Sequence, residues 1–181
     1  MLPLSLHRSR APEILLGATT YSTAIDMWSV GCIFAELLLK EPLFQAQGEL
    51  ELLSMIFKLL GPPTKNSWPE YTALPLAKTI SLPSPQPHQF RTKFQYLTTA
   101  GLDLMMSLLT YDPERRITAE EALSHPYFRL ENSHHLIRSS TQLFIWTVNL
   151  LFPSTLTSLV HSRPPQQEKS LWSAIFVGGT N

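Results

Sequence analysis

Ala24-Ile-Asp-Met-Trp-Ser-Val-Gly-Cys-Ile-Phe-Ala-Glu-Leu-Leu-Leu39 is the stretch that decides the fold, because it is apolar almost throughout. A helix that is apolar nearly all round is buried on most of its sides. Ser22 and Thr23 stand directly before the run, and their hydroxyls can cap the start of a helix. Pro42 cannot continue the helix, which must end before it. The sequence therefore predicts a long buried helix as the centre of a domain.

Three further helices are predicted after this one along the chain. Apolar residues recur at helical spacing from about Glu49 to Leu60 and again from about Thr99 to Thr110. A fourth helix is predicted to begin at Thr118, because Glu121 three residues later completes a capping box, and His125-Pro126 is expected to end it. Strand patterns are nearly absent before residue 140. The sequence therefore predicts a mainly α fold.

Residues 62–93 are rich in proline and poor in periodicity. They predict a long irregular loop that lies over the helices and is anchored by Trp68 and Tyr71. Loops of this length inside a domain are usually functional or mobile.

The composition fits a globular protein: 44% of the 181 residues are hydrophobic. The chain has 14 Lys and Arg residues and 14 Asp and Glu residues, so its formal net charge is zero. It shows no cluster of basic residues of the kind that would indicate a nucleic-acid partner. The single cysteine, Cys32, excludes an internal disulfide and a cysteine-based zinc site, and its apolar surroundings favour a packed core thiol. The six histidines show no metal-binding pattern.

The character of the sequence changes at about residue 131. The apolar run Leu143 to Phe152 leaves three interpretations open: a surface-packed strand or short helix, a membrane segment, or a poorly ordered, aggregation-prone tail. Membrane insertion is the least favoured, since a span needs about 20 apolar residues. We therefore divide the chain into a start at residues 1–9, a domain at residues 10–130 and a divergent, poorly ordered or loosely packed tail at residues 131–181.

Five phrases in a fixed order carry a resemblance to a known family. They are Arg10-Ala-Pro-Glu-Ile-Leu-Leu-Gly17, Tyr21-Ser-Thr-Ala-Ile-Asp-Met-Trp-Ser-Val-Gly-Cys-Ile33, Leu59-Leu-Gly-Pro-Pro-Thr64 with Trp68-Pro69, Leu108-Leu-Thr-Tyr-Asp-Pro113 and His125-Pro-Tyr-Phe128. This segment resembles the C-terminal lobe of a cyclin-dependent-type serine/threonine protein kinase, most closely the PITSLRE type. The resemblance implies the helical C-terminal lobe of a protein-kinase-like fold, incomplete and without the N-terminal β lobe.

The resemblance also implies roles for particular residues. Glu13 and Arg116 are expected to form a buried ion pair that pins the Ala-Pro-Glu segment to the lobe, and Trp28 is expected to be structural. Asp26 corresponds to a carboxylate that accepts hydrogen bonds from the catalytic loop of the family. Four residues are expected to belong to docking surfaces for regulatory subunits and substrates: Leu52, Ile56, Trp68 and Tyr71.

The sequence departs from the family before Arg10. The family usually has Trp-Tyr where Arg8-Ser9 stand here, and that pair helps to form the wall of the substrate pocket. His7-Arg8-Ser9 echoes the His-Arg-Asp of a catalytic loop but lacks the Asp that positions the substrate hydroxyl. Residues 1–7 stand where the family has its activation loop. These differences place peptide recognition and regulatory phosphorylation in doubt.

Only ten residues precede Ala11, whereas the phosphate-pairing Lys, the catalytic-loop Asp and the metal-binding Asp of a kinase all lie before this point. We therefore assign no catalytic, cofactor-binding or metal-binding residue; ATP and Mg²⁺ belong to the parent family. We expect the chain alone to be non-catalytic. We also expect the Ala24–Leu39 helix to lose part of its cover and to expose apolar surface, which would make the isolated fold marginal.

Two alternatives to a truncated, non-catalytic kinase stay open. The first is a binding module or decoy for kinase partners, and the second is an incomplete record of an intact kinase. The partners that the resemblance implies are regulatory subunits, a cyclin, chaperones and, for the parent family, protein substrates. No nucleic-acid partner is expected, a membrane is an improbable one, and the expected location is nuclear, cytoplasmic or both.

Overall fold

The computed structural model describes residues 8–80, 82 and 89–130, and the part that it describes is helical, without a strand. The predicted mainly α class is confirmed. Seven α-helices follow one another along this part: α1 (Pro12–Leu15), α2 (Thr23–Leu39), α3 (Glu49–Leu60), α4 (Phe90–Lys93), α5 (Thr99–Leu108), α6 (Ala119–Leu123) and α7 (Pro126–Leu130).

The long helix α2 lies at the centre of the core, as the sequence predicts. Its buried positions include Trp28, Phe34 and Ala35, none of which has measurable exposure. None of the large apolar side chains of α2 is among the exposed ones, but Ile33 and Leu37 are only partly buried, so the expected loss of cover stays a prediction. Ser22 occupies the cap position, but its side chain makes no capping hydrogen bond, contrary to expectation. The helix ends at Leu39, and the backbone of the C-cap residue Lys40 adopts the left-handed conformation with φ 57°.

Helix α5 crosses α2 at close range. Gly31 of α2 makes this approach possible, because a Cβ added there would lie 3.0 Å from Leu108 Cβ and 3.0 Å from Leu109 Cδ2. The start of α5 is capped by Thr98, whose side chain accepts a hydrogen bond from the Gly101 backbone N–H. The sequence predicted this helix to within two residues.

Helix α3 has the predicted bounds. Its apolar stripe faces the core, and Gly61 with φ 83° ends it. The proline-rich segment that follows is anchored as predicted: Trp68 and Tyr71 are buried, and the Trp68 ring stacks on Tyr111 at 5.9 Å between centroids. Two short elements inside this segment were not predicted, namely α4 and a 3₁₀ turn at Tyr71–Ala73.

The capping box at the start of α6 is confirmed, since Thr118 and Glu121 each accept a hydrogen bond from the other's backbone N–H. Helix α6 ends at Leu123, just before His125-Pro126, as expected. Pro126 is the first residue of α7, because a proline at the first helical position lacks only an N–H that the helix does not use.

Among the described residues, no helix is both long and apolar enough to cross a membrane. The predictions for residues 1–7 and for the tail, including the Leu143–Phe152 run, fall outside the residues that the structure describes.

Candidate functional site

The Ala-Pro-Glu segment forms a short, deeply placed turn of helix. Pro12 opens α1 and fixes its first backbone angle, and Gly17 with φ 84° turns the chain away after Leu16. Ala11 and Leu16 are fully buried. A carboxylate on such a turn cannot reach water easily, and Glu13 is correspondingly buried.

Arg116 pairs with Glu13 in bidentate fashion. Its Nη1 lies 2.7 Å from Oε1 of Glu13 and its Nη2 lies 2.9 Å from Oε2. The two side chains are only 0% and 5% exposed. A planar guanidinium matches a carboxylate in this arrangement, and charge-assisted bonds of this type are among the stronger hydrogen bonds in proteins.

The remaining donors of Arg116 bind backbone carbonyls of three other positions. Nε donates to Thr110 at 2.9 Å, Nη1 donates to Ala24 at 2.6 Å, and Nη2 donates to Tyr111 at 3.1 Å. Together with the two bonds to Glu13, all five N–H groups of the guanidinium are engaged. The group also lies 5.2 Å from the centroid of the Trp28 ring, within the range of a cation–π contact. One side chain thus ties α1, the start of α2 and the α5–α6 loop together.

The Ala-Pro-Glu segment is also held on its outer sides. The Leu76 backbone N–H donates to the Leu16 carbonyl at 3.0 Å, so the proline-rich segment packs directly against the end of α1. Ser29 of α2 donates to the Ser9 carbonyl at 3.3 Å. Arg10 pairs with Glu49 at the start of α3. These contacts fix the segment without presenting a reactive group.

Asp26 is half-buried on α2. Burial raises the pKa of its carboxyl, and the described residues place no hydrogen-bond donor on its oxygens. Asp26 takes no part in the hydrogen bonds that join Glu13 and Arg116, with which the sequence grouped it. Without a donor, the ionised form carries a desolvation penalty that nothing in this part of the chain offsets.

The four expected docking side chains point into the molecule. Leu52, Ile56, Trp68 and Tyr71 are all buried in the main core cluster. They therefore offer no contact area to a partner in this structure. Helical periodicity identified the face of α3 that packs inward, and the outward face carries Leu50, which is 76% exposed.

Several contacts of this region were missed by the sequence reasoning. The Tyr111 hydroxyl donates to the Gly61 carbonyl at 2.6 Å, and Arg115 donates to the Asn66 carbonyl at 2.9 Å. Both bonds hold the proline-rich segment against the α5–α6 loop. They join residues about fifty positions apart, and no local pattern in the sequence indicates a pairing across such a separation.

The described residues do not fit a magnesium–nucleotide site. They contain no group of three or more His, Cys, Asp or Glu side chains placed to hold a metal ion. The carboxylate of Glu13 is already bound to Arg116. Burial raises the pKa of the Cys32 thiol, which keeps it protonated and unreactive. Among the described residues, the contacts of Glu13 and Arg116 support the structure of the lobe.

The family follows from the whole pattern of phrases and contacts. The model of the protein kinase domain matches residues 7–128. The chain belongs to the protein kinase family. The resemblance to cyclin-dependent-type kinases is confirmed by the relatives below.

The curated relatives of this kinase chain are named as cyclin-dependent or serine/threonine kinases. The chain is 52% identical over 128 residues to Cyclin-dependent kinase G-1 of Oryza sativa subsp. indica, 51% identical over 120 residues to Serine/threonine-protein kinase ppk23 of Schizosaccharomyces pombe, and 50% identical over 121 residues to Cyclin-dependent kinase 11A of Homo sapiens. Each match covers 66% of this chain. It spans only 18%, 30% and 16% of the respective relatives.

Proposed function

We propose that this chain supplies the supporting framework of the C-terminal lobe of a cyclin-dependent-type serine/threonine kinase, and that the polypeptide alone transfers no phosphate. The parent class moves the γ-phosphate of ATP to Ser or Thr of proteins in cell-cycle or transcription and splicing control. Its partners are a cyclin or other regulatory subunits and protein substrates.

The observation that carries this proposal is the saturated guanidinium of Arg116. Its five hydrogen bonds fix the Ala-Pro-Glu segment to α2 and to the α5–α6 loop. In a kinase this segment stands at the edge of the substrate site, so its fixation is a supporting role. The identity of about 50% to cyclin-dependent kinases selects the branch of the family.

The proposed lack of kinase activity rests on the groups that phosphoryl transfer requires. The reaction depends on positioning and charge stabilisation: a Lys on the phosphates, side chains that hold the metal ions, and an Asp directed at the substrate hydroxyl. In the described part of this chain, the buried carboxylate of Glu13 is bound to Arg116 and is not free to hold a metal ion or to face a substrate hydroxyl. Asp26 has no partner there that would orient it.

Transfer of radiolabelled phosphate from ATP tests the proposal. The purified chain is incubated with Mg²⁺, labelled ATP and a mixture of Ser-Pro and Thr-Pro peptides, beside a complete cyclin-dependent kinase with its cyclin. We expect label in the peptides only from the complete kinase. Chelator-sensitive labelling by the purified chain, unchanged by a step that removes co-purifying kinases, would overturn the proposal.

A further inference from the structure

One face of the long helix α2 is not covered by the described core. Among the described residues, Ile33 and Leu37 are the large apolar side chains of α2 that neither belong to the core cluster nor pack against it. Both are partly buried, as are Asp26 and Ser29. Asp26 and Ser29 precede Ile33 by seven and by four residues, and Leu37 follows it by four, so these side chains share one face of the helix.

This face carries charges of opposite sign at its two ends. Asp26 stands in the first turn of α2, and the exposed Lys40 directly follows its last residue. They are separated by roughly four helical turns, which returns Lys40 to the side of the helix that carries Asp26. Within the part of the chain that the structure describes, neither takes part in an ion pair, and Glu36, one turn before Lys40, is not bound to it either.

The spacing along this face is symmetric about Ile33, which is seven residues from Asp26 and seven from Lys40. A second α2 laid antiparallel on the first, with the two Ile33 side chains in contact, places Asp26 of each copy opposite Lys40 of the other. Leu37 of each copy then lies opposite Ser29 of the other. A two-fold axis through Ile33 thus makes the face complementary to itself, as the interface of a symmetric dimer must be.

The carboxylate of Asp26 selects this occupant over a purely apolar one. It is partly removed from water without a hydrogen-bond donor among the described residues, so covering it further is costly unless the covering group brings a cation or donors. Lys40 of a second copy brings both. The apolar run Leu143 to Phe152 of the same chain contains no cationic residue and would leave Asp26 unpaired.

We propose that this face of α2 is the interface of a two-fold homodimer, in which two copies of α2 pack antiparallel across Ile33 and are joined by two Asp26–Lys40 ion pairs. The apolar contact of Ile33 and Leu37 provides the attraction, and the ion pairs fix the antiparallel register, because a parallel pair sets like charges against each other. The inference does not depend on whether the chain transfers phosphate.

Sedimentation velocity of the full chain, measured from about 1 μM to about 200 μM, tests the proposal. We expect a monomer–dimer equilibrium with a Kd in roughly the micromolar range, since one helix face is a small interface. Asp26→Lys and Lys40→Asp alone should each weaken association by at least about tenfold, because like charges then oppose each other. An equimolar mixture of the two variants restores both ion pairs and should dimerise again. A wild type that stays monomeric, or a mixture that associates no better than either variant alone, would overturn the proposal.

Ile33→Asp keeps the experiment decisive if Asp26→Lys does not fold. It places two carboxylates at the two-fold axis and should abolish association, while circular dichroism reports whether the helices remain. Leu50→Asp is the matched control, because Leu50 is an exposed apolar residue of α3 and lies outside the proposed interface. Its Kd should equal that of the wild type. Equal losses of association in the two variants would show unspecific apolar contact and would contradict the proposal.

Discussion

Two glutamates that pair with arginine show how burial determines the contribution of an ion pair to stability. Glu13 and Arg116 are shielded from water, whereas Glu49 and its partner Arg10 have side chains 54% and 33% exposed. Exposed pairs contribute about 0–1 kcal/mol, because water already solvates both charges. Loss of one partner of a buried pair costs about 3–5 kcal/mol, because the other charge stays buried and alone.

Glu13→Gln should therefore lower the free energy of unfolding by about 3–5 kcal/mol. The amide cannot neutralise Arg116, whose other donors hold it in place. Urea denaturation of the purified chain measures the effect. Glu49→Gln is the matched control and should change stability by about 1 kcal/mol or less. Equal, small losses from the two substitutions would show that the buried pair does not fix the Ala-Pro-Glu segment.

The pairing itself was predictable, but only through the resemblance of the two phrases that contain Glu13 and Arg116. The carbonyls of Ala24, Thr110 and Tyr111 that complete the guanidinium shell were not predictable. Every residue has a backbone carbonyl, so no sequence pattern indicates which of them accepts a hydrogen bond. For Asp26 the resemblance pointed to donors that the described part of this chain does not contain.

At the scale of elements, the crossing of α2 and α5 depends on a residue without a side chain. Gly31→Ala should destabilise the chain. The new methyl group would meet Leu108 Cβ, which lies next to the backbone and cannot swing aside. Overpacking costs about 1–3 kcal/mol and outweighs the gain of about 0.5–1 kcal/mol in helix propensity. Thermal or urea unfolding measures the loss.

Gly48→Ala is the control for this prediction, because a Cβ at Gly48 meets nothing within 4 Å and the backbone there is extended with φ −157°. Its stability should fall by about 1 kcal/mol or less, because Gly48 is the N-cap residue of α3 and alanine caps a helix less well than glycine does. A stable Gly31→Ala variant would mean that α5 shifts away from α2 without cost.

The elements with a strong apolar period were predictable from the sequence. The bounds of α3 were met, and those of α2 and α5 differed by two residues or fewer. The short helices α1, α4 and α7 were missed because four or five residues are too few to display a period. Pro126 correctly indicated the end of α6, but it gave no sign of α7, which begins at this residue.

Over the residues that the structure describes, one hydrophobic core joins all of these helices and the anchored proline-rich segment. Trp68 and Tyr71 anchor that segment in the core, so their side chains offer no area to a partner in this structure, and their expected docking role stays a prediction. Periodicity and aromatic content identify which residues are buried, but they cannot separate a core face from a binding face. The exposed apolar residues nearest in sequence to the four expected docking residues are Leu50 of α3 and Leu76 of the proline-rich segment.

We propose that this polypeptide provides the supporting framework of a kinase without a site for its nucleotide. Isothermal titration of the purified chain with ATP in the presence of Mg²⁺ tests it most directly, with the complete kinase as the positive control. We expect no saturable heat at any ATP concentration up to the millimolar range. A saturable, one-to-one binding curve that disappears when Mg²⁺ is removed by a chelator would contradict it.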